Sequence, residues 1–259
     1  MKRSVYVLVG ILFLFFLTSV APAQFREERT GRGISMTSGL GFEYFTRTIE
    51  WDGEEASSKL KSHFFTFHTE FELQPGLSLG ALIGYSLSDY QAMVFRELPF
   101  SLELETGGIG GIIFGAELKK SLFFVRNFEI GVVGQFVYYS GGKEEWDIPG
   151  LAVEATAEGN PSWLRALAGP VFIYRGMENF RPYLGLSYNR LWGKFKMDQT
   201  IKDLEGSEHK KITGKSLFCT VVGAVYEVTE AFGFKGETNI MPYKNGVDIG
   251  VMIRAVYAF

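Results

Sequence analysis

Few residues in this sequence have the type and spacing needed for covalent or acid–base chemistry. There are three histidines and a single cysteine. His68 precedes Glu70 and Glu72 by two and four positions, so an extended chain puts all three on one face, where the imidazole could act as a general base. A plainer role is membership of a buried polar network. Ser207 and His209 lie in the polar stretch Asp203–Lys211. With a nearby acid they could form a hydrolase set, although a loop this polar is ordinarily just solvated. His63 falls on the opposite parity to His68, and no local motif ties Asp89 to a histidine. Gly107-Gly108-Ile109-Gly110-Gly111 lacks the Lys-Ser/Thr of a phosphate loop and opens a strand pattern, not a helix. Cys219 has no partner for an internal disulfide and reads as a small hydrophobe. The histidines and the cysteine do not stand at metal-ligand spacing, so neither a metal nor a cofactor is expected. The segment Lys143-Glu144-Glu145-Trp146-Asp147, followed by Glu154 and Glu158, is acidic around one tryptophan. It could gather divalent cations, but a solvated surface is the simpler expectation.

The elements that must position these residues are strands. Hydrophobic alternation with a period of two recurs about ten times, with almost no helical period between. In Ser62 to Leu73 the odd positions are mostly apolar (Phe65, Phe67, Phe71, Leu73), and the even ones become polar and acidic (Thr66, His68, Glu70, Glu72). Successive side chains of a strand point to opposite faces, so each strand has one apolar face and one mixed face. Strands are expected near 33–50, 59–73, 77–91, 107–120, 127–141, 162–175, 180–200, 211–228, 232–241 and 247–259. The connections alternate short and long, with 74–76, 121–126, 176–179 and 229–231 short, against 51–58, 92–106, 142–161 and 201–210 long. The last connection, 242–246, is intermediate. Aromatic residues gather at both ends of these strands. Phe71, Phe123, Phe124, Phe128, Phe180, Tyr183, Tyr226, Phe232 and Phe234 stand near the short connections. Phe45, Trp51, Tyr90, Tyr138, Tyr139, Trp163, Trp192 and Tyr243 stand near the long ones, and two interfacial belts are the expectation.

The N-terminus fits export. Lys2 and Arg3 precede an apolar run from Val5 to Val20, and Ala21-Pro22-Ala23 offers the small residues of a cleavage site. The expected division is a signal peptide at 1–23 and one barrel domain at 24–259, and cleavage near Ala23 leaves 236 residues (259 minus 23). No later run of eighteen apolar residues suggests a membrane-spanning helix. The chain is 15% aromatic with 31 glycines, and its formal charge of −3 becomes −5 without Lys2 and Arg3. That balance argues against a nucleic-acid partner.

The C-terminus is the most specific mark. Counting back in twos gives Phe259, Tyr257, Ala255, Ile253, Val251 and Ile249, an amphipathic last strand with a terminal aromatic. It resembles the C-terminal signal, here Ile253, Tyr257 and Phe259, by which the bacterial barrel-assembly machinery recognises outer-membrane proteins. Over nearly the whole mature chain the strand pattern resembles the small outer-membrane barrels of the opacity-protein and OmpA type. Those relatives commonly have eight strands, whereas ten are counted here. The expected fold is all-β, a transmembrane antiparallel barrel of about ten strands with short periplasmic turns and longer extracellular loops. The soluble alternatives are a lipocalin-like barrel or a β-sandwich, which also alternate.

A charge at the lipid midplane costs about 2–4 kcal/mol, so mid-strand charges are expected to face the lumen. By parity these are Glu43, Arg47, His68, Glu70, Glu72, Glu117, Glu129, Arg165, Glu227, Lys235, Glu237 and Arg254. An interior little wider than an eight-strand barrel is filled by side chains. A non-enzymatic barrel with a plugged lumen and a structural or surface-interaction role is therefore expected. The alternatives are a narrow porin-like channel and a surface enzyme hydrolysing lipid or peptide through rim histidines. The expected partners are outer-membrane lipid, lipopolysaccharide and, during insertion, the assembly machinery.

Overall fold

The computed structural model describes residues 35–53, 57–91, 93–95, 102–104, 107–147, 155–201 and 204–259. The expected signal peptide and Glu154 lie outside them. In chain order the strands are β1 (Ser35–Trp51), β2 (Ser57–Gln74), β3 (Leu77–Tyr90), β4 (Met93–Phe95), β5 (Leu102–Leu104), β6 (Ile109–Val125) and β7 (Phe128–Gly141). There follow β8 (Glu144–Asp147), β9 (Ala155–Tyr174), β10 (Phe180–Ile201), β11 (Leu204–Gly214), β12 (Phe218–Glu227), β13 (Phe232–Tyr243) and β14 (Gly246–Ala258).

Ten of these strands close into an antiparallel ring in the order β1-β2-β3-β6-β7-β9-β10-β12-β13-β14, and β14 pairs back onto β1. Closure leaves the wall without a free edge, the condition for spanning a bilayer with strands. At the short-turn end, Pro75-Gly76 links Gln74 to Leu77, and Gly76 has φ +74°. Proline presets the first turn position and glycine accepts the positive φ of the second.

Alternation places one parity of each strand outward. On β2 the exposed set includes Phe65, Phe67 and Phe71, and on β10 Leu184, Leu186 and Tyr188. The outer face of β10 from Phe180 to Trp192 is apolar except for Arg190, one step below Trp192. At the usual tilt of such strands that stretch rises about 30 Å, the thickness of a hydrocarbon core.

Above Trp192 the pattern inverts. The outer face of β10 becomes Lys194, Lys196 and Asp198, opposite Ser162, Asn160 and Glu158 of β9, while the inner face becomes Leu191, Phe195 and Met197, all buried. The same inversion occurs on β2, where the buried inner residues change from His68 to Phe64 and Leu60. Strands β9 and β10 therefore continue out of the membrane as a wall that is polar outside and apolar inside, like a soluble barrel.

The crown of this extension departs from the sequence expectations. Residues 204–214 form β11, which pairs with β10 and, at Ile212 to Gly214, with the tip of β1. The expected strand 211–228 is thus two strands broken at residues 215–217, and the expected loops 142–161 and 201–210 contain β8, the upper third of β9 and most of β11. Their polar residues face water from a strand, and polarity alone had suggested loops.

The expected outer aromatic belt is also corrected. Phe45, Trp51, Tyr90, Tyr139 and Trp163 are all buried in the interior, leaving Trp192 and Tyr138, which flank Leu164 in one row, as outward aromatics at that level. Phe45 shares the inward parity of Glu43 and Arg47, so position near a loop was a poorer guide than parity. Tyr183, assigned to the other belt, also points inward, and its hydroxyl donates to Glu237 at 2.8 Å.

Candidate functional site

The interior has two storeys. In the lower one charged side chains converge from facing walls. β1 and β9 lie on opposite sides of the ten-strand ring, and Glu43 and Arg165 meet across the lumen through contacts of 2.5 and 3.2 Å. The two-pronged geometry suits a guanidinium and a carboxylate. The Arg165 guanidinium also lies over the rings of Phe45 (5.2 Å) and Phe64 (5.7 Å), so this pair forms the boundary between the storeys.

Below it, Lys119 bridges Glu70 at 2.6 Å and Glu117 at 2.9 Å. Gln135 donates to the other Glu117 oxygen at 2.9 Å. Lys235 pairs with Glu237 at 3.2 Å, and Asn239 donates to Glu237 at 3.1 Å. His68 and Arg254 are buried among these groups. Four carboxylates (Glu43, Glu70, Glu117, Glu237) face four cations (Lys119, Arg165, Lys235, Arg254), so no single sign dominates.

The remaining residues selected by parity lie apart from this set. Glu72 accepts a bond from the Gly76 amide at 3.2 Å and belongs to the turn. Glu129 and Glu227 sit at the short-turn rim, paired with Arg175 and Arg181. Arg47 stands higher and donates to the carbonyls of Asn189 (3.2 Å) and Ser216 (2.6 Å). It thereby satisfies backbone oxygens where the chain breaks between β11 and β12. Lys119 and Arg175 were not picked out from sequence, and Tyr183 was placed in the belt and not in the lumen. The signal for Lys119 is its parity with Glu117, two residues away.

The upper storey is aromatic. Trp163 is 1% exposed and stacks on Tyr139 (5.2 Å) and Phe64 (5.7 Å), with Phe45 edge-on at 5.6 Å. Phe195 then packs against Tyr90 (5.3 Å) and Trp51 (5.9 Å). Trp146 of β8 is half-buried against this cluster, not the exposed tryptophan its acidic neighbours suggested. Gly159 makes room for it, since a Cβ there would lie 2.6 Å from its ring.

Outside the barrel, His209 is exposed on β11, opposite Lys196, and not in a loop. Ser207 donates to Asp198 at 2.6 Å. Asp198 also pairs with Lys196 at 2.5 Å. The Lys196 and Ser207 bonds, in that order, hold its carboxyl below the usual range. A hydrolytic triad needs the acid on the imidazole and the imidazole on the hydroxyl, and here the acid is bonded to the hydroxyl itself. His63 is outward, its ring 4.9 Å from that of Tyr44. Cys219 is buried on the lumen side near Asn239.

The terminal strand presents Ile253, Tyr257 and Phe259 to the outside, and the last two rings lie 4.9 Å apart.

No family model and no curated protein sequence matches the chain. Solved structures do. The outer-membrane protease OmpT from Escherichia coli superposes with a TM-score of 0.52 at 13% identity, covering 90% of this chain and 99% of that one. The β domain of the Bordetella autotransporter BrkA gives 0.41 at 10% identity, over 88% of this chain and 99% of that one. The attachment invasion locus protein Ail of Yersinia pestis gives 0.33 at 14% identity, over 86% and 98%. At these identities the likeness to the protease is one of fold, and catalysis does not transfer with it. The closed ring, its apolar outer belt and this likeness give the chain the fold of the small outer-membrane β-barrels.

Proposed function

We propose that this barrel is a non-enzymatic envelope protein whose lumen is sealed by its own side chains and whose extracellular crown serves a structural or surface-interaction role. The observation that carries this reading is the stacking of two seals in one lumen. The Glu43–Arg165 pair spans the barrel from wall to wall, and the Trp163 cluster fills the space directly above it. An ion crossing here would have to break a charge-assisted pair and then enter an apolar layer, and each step opposes conduction. The bond from Ser207 to Asp198, in place of one to His209, favours a non-catalytic crown.

In this reading the lipid belt contacts outer-membrane lipid and lipopolysaccharide, and the exposed Ile253, Tyr257 and Phe259 are offered to the assembly machinery during insertion. The test is conductance of the folded protein in planar bilayers, beside lipase and protease assays. A silent membrane and no hydrolysis are expected. Regular conductance steps would overturn the sealed lumen, and hydrolysis abolished by His209→Ala would overturn the non-enzymatic role.

A further inference from the structure

We propose that the lumen floor carries a site for one divalent first-row transition ion, with the His68 imidazole and the Glu70 and Glu117 carboxylates as ligands and Lys119 as the cation that holds it shut. The site is assembled by register. His68 and Glu70 share the inner face of β2, and Glu70, Gly80 and Glu117 lie side by side on β2, β3 and β6. One ligand atom from each of the three side chains lies within 4.8 Å of the others. Ligand bonds of about 2.0–2.2 Å require such atoms to close to roughly 3.5 Å, an adjustment within side-chain rotation.

Two further observations point to a ligand. His68 is 3% exposed, yet its Nε2 has no hydrogen-bond partner among the described residues. Buried polar atoms are rarely left so, and metal coordination is one way to satisfy an imidazole nitrogen. Gly80 supplies the space: a Cβ there would stand 2.8 Å from that same Nε2 and 3.5 Å from Cβ of Glu117. Glycine thus leaves a notch between the two carboxylates, and the imidazole leans into it.

The donor set decides the ion class. An imidazole with two carboxylates suits zinc and its first-row neighbours, whereas calcium and magnesium take oxygen ligands alone. A cation already occupies the carboxylates, since the Lys119 ammonium lies 2.6 Å from Glu70 and 2.9 Å from Glu117. Its side chain is 34% exposed on a flexible stem, so it can swing into the lumen and give up the carboxylates. Lys235 and Arg254 share the surrounding field, and they weaken a divalent ion in the unmutated protein.

The experiment is zinc titration of the untagged, detergent-folded barrel by calorimetry, with heat-modifiable migration confirming that each variant is folded. The unmutated chain should bind one zinc ion, and Lys119→Met should tighten binding at least about tenfold by removing a like charge from the site. His68→Ala in the Lys119→Met background should weaken it about 10–100-fold, and magnesium should bind neither form. The proposal is overturned if the folded unmutated chain or folded Lys119→Met takes up no stoichiometric zinc, or if His68→Ala leaves the affinity unchanged.

Discussion

Glu43→Gln tests the wall-to-wall clamp most sharply, because it removes one charge and leaves the shape. The side chains of Arg165 and Glu43 are 10% and 16% exposed, so the pair is largely out of water. Breaking a buried pair by removing one partner costs about 3–5 kcal/mol, because the remaining charge is left uncompensated. Glu43 keeps some exposure and Arg165 keeps its contacts with Phe45 and Phe64, which places the expected loss near the lower figure, about 3 kcal/mol. Arg165→Met alone strands Glu43 and should cost a similar amount. The double variant removes both charges and should return to within about 1 kcal/mol of the unmutated barrel, since apolar replacement of a buried pair is often neutral. The assay is reversible urea unfolding in lipid vesicles, followed by tryptophan fluorescence. If each single variant falls within about 1 kcal/mol of the parent and the two effects simply add, the clamp has no energetic role and the reasoning fails.

Trp163→Ala should cost about 3–5 kcal/mol and, by emptying the centre of the upper storey, raise bilayer conductance above the silent baseline. An unchanged trace with unchanged stability would count against that storey as a seal. Arg47→Ala leaves the Asn189 and Ser216 carbonyls without their donor, so a loss of about 2 kcal/mol and faster proteolysis around residues 215–217 are expected. Phe65→Lys should destabilise the barrel by about 2–4 kcal/mol if that face meets lipid, measured by the same urea titration. The Asp198 carboxyl titrates below its ordinary value of 3.8, so its contacts contribute fully above that value and are lost as pH falls through the lower, folded one. Hydrogen exchange at the β10–β11 tip should therefore rise only at pH below about 4, and Asp198→Asn should remove that dependence.

The barrel was legible in the sequence because lipid imposes a strict rule on one parity. Phe65, Phe67, Leu184 and Leu186 alternate with His68, Glu70 and Ser187, and the same alternation recurs over strand after strand. Parity also located Glu43 and Arg165, but not their meeting, which depends on β1 and β9 standing opposite one another in a closed ring. The crown was illegible for a physical reason. Above Trp192 the solvent changes from lipid to water, so apolar residues move to the inner parity while the strands continue. A reading that equates polar stretches with loops starts β9 too late, at residue 162 instead of Ala155, and places His209 outside any strand. It also assigns Phe45 and Trp163 to an interfacial belt, although their parity with Glu43 and Arg165 points them into the core.

The central claim is that one barrel encloses two interiors, a charged one within the membrane and an aromatic one above it. Single-tryptophan variants retaining Trp163 or Trp192 test it directly, with brominated lipid and aqueous iodide as quenchers. Trp192 should be quenched by brominated lipid, and Trp163 should resist both quenchers. Strong quenching of Trp163 by brominated lipid would place it in the interfacial belt, and strong quenching by iodide would place it in an open, wet lumen. Either result would contradict the account.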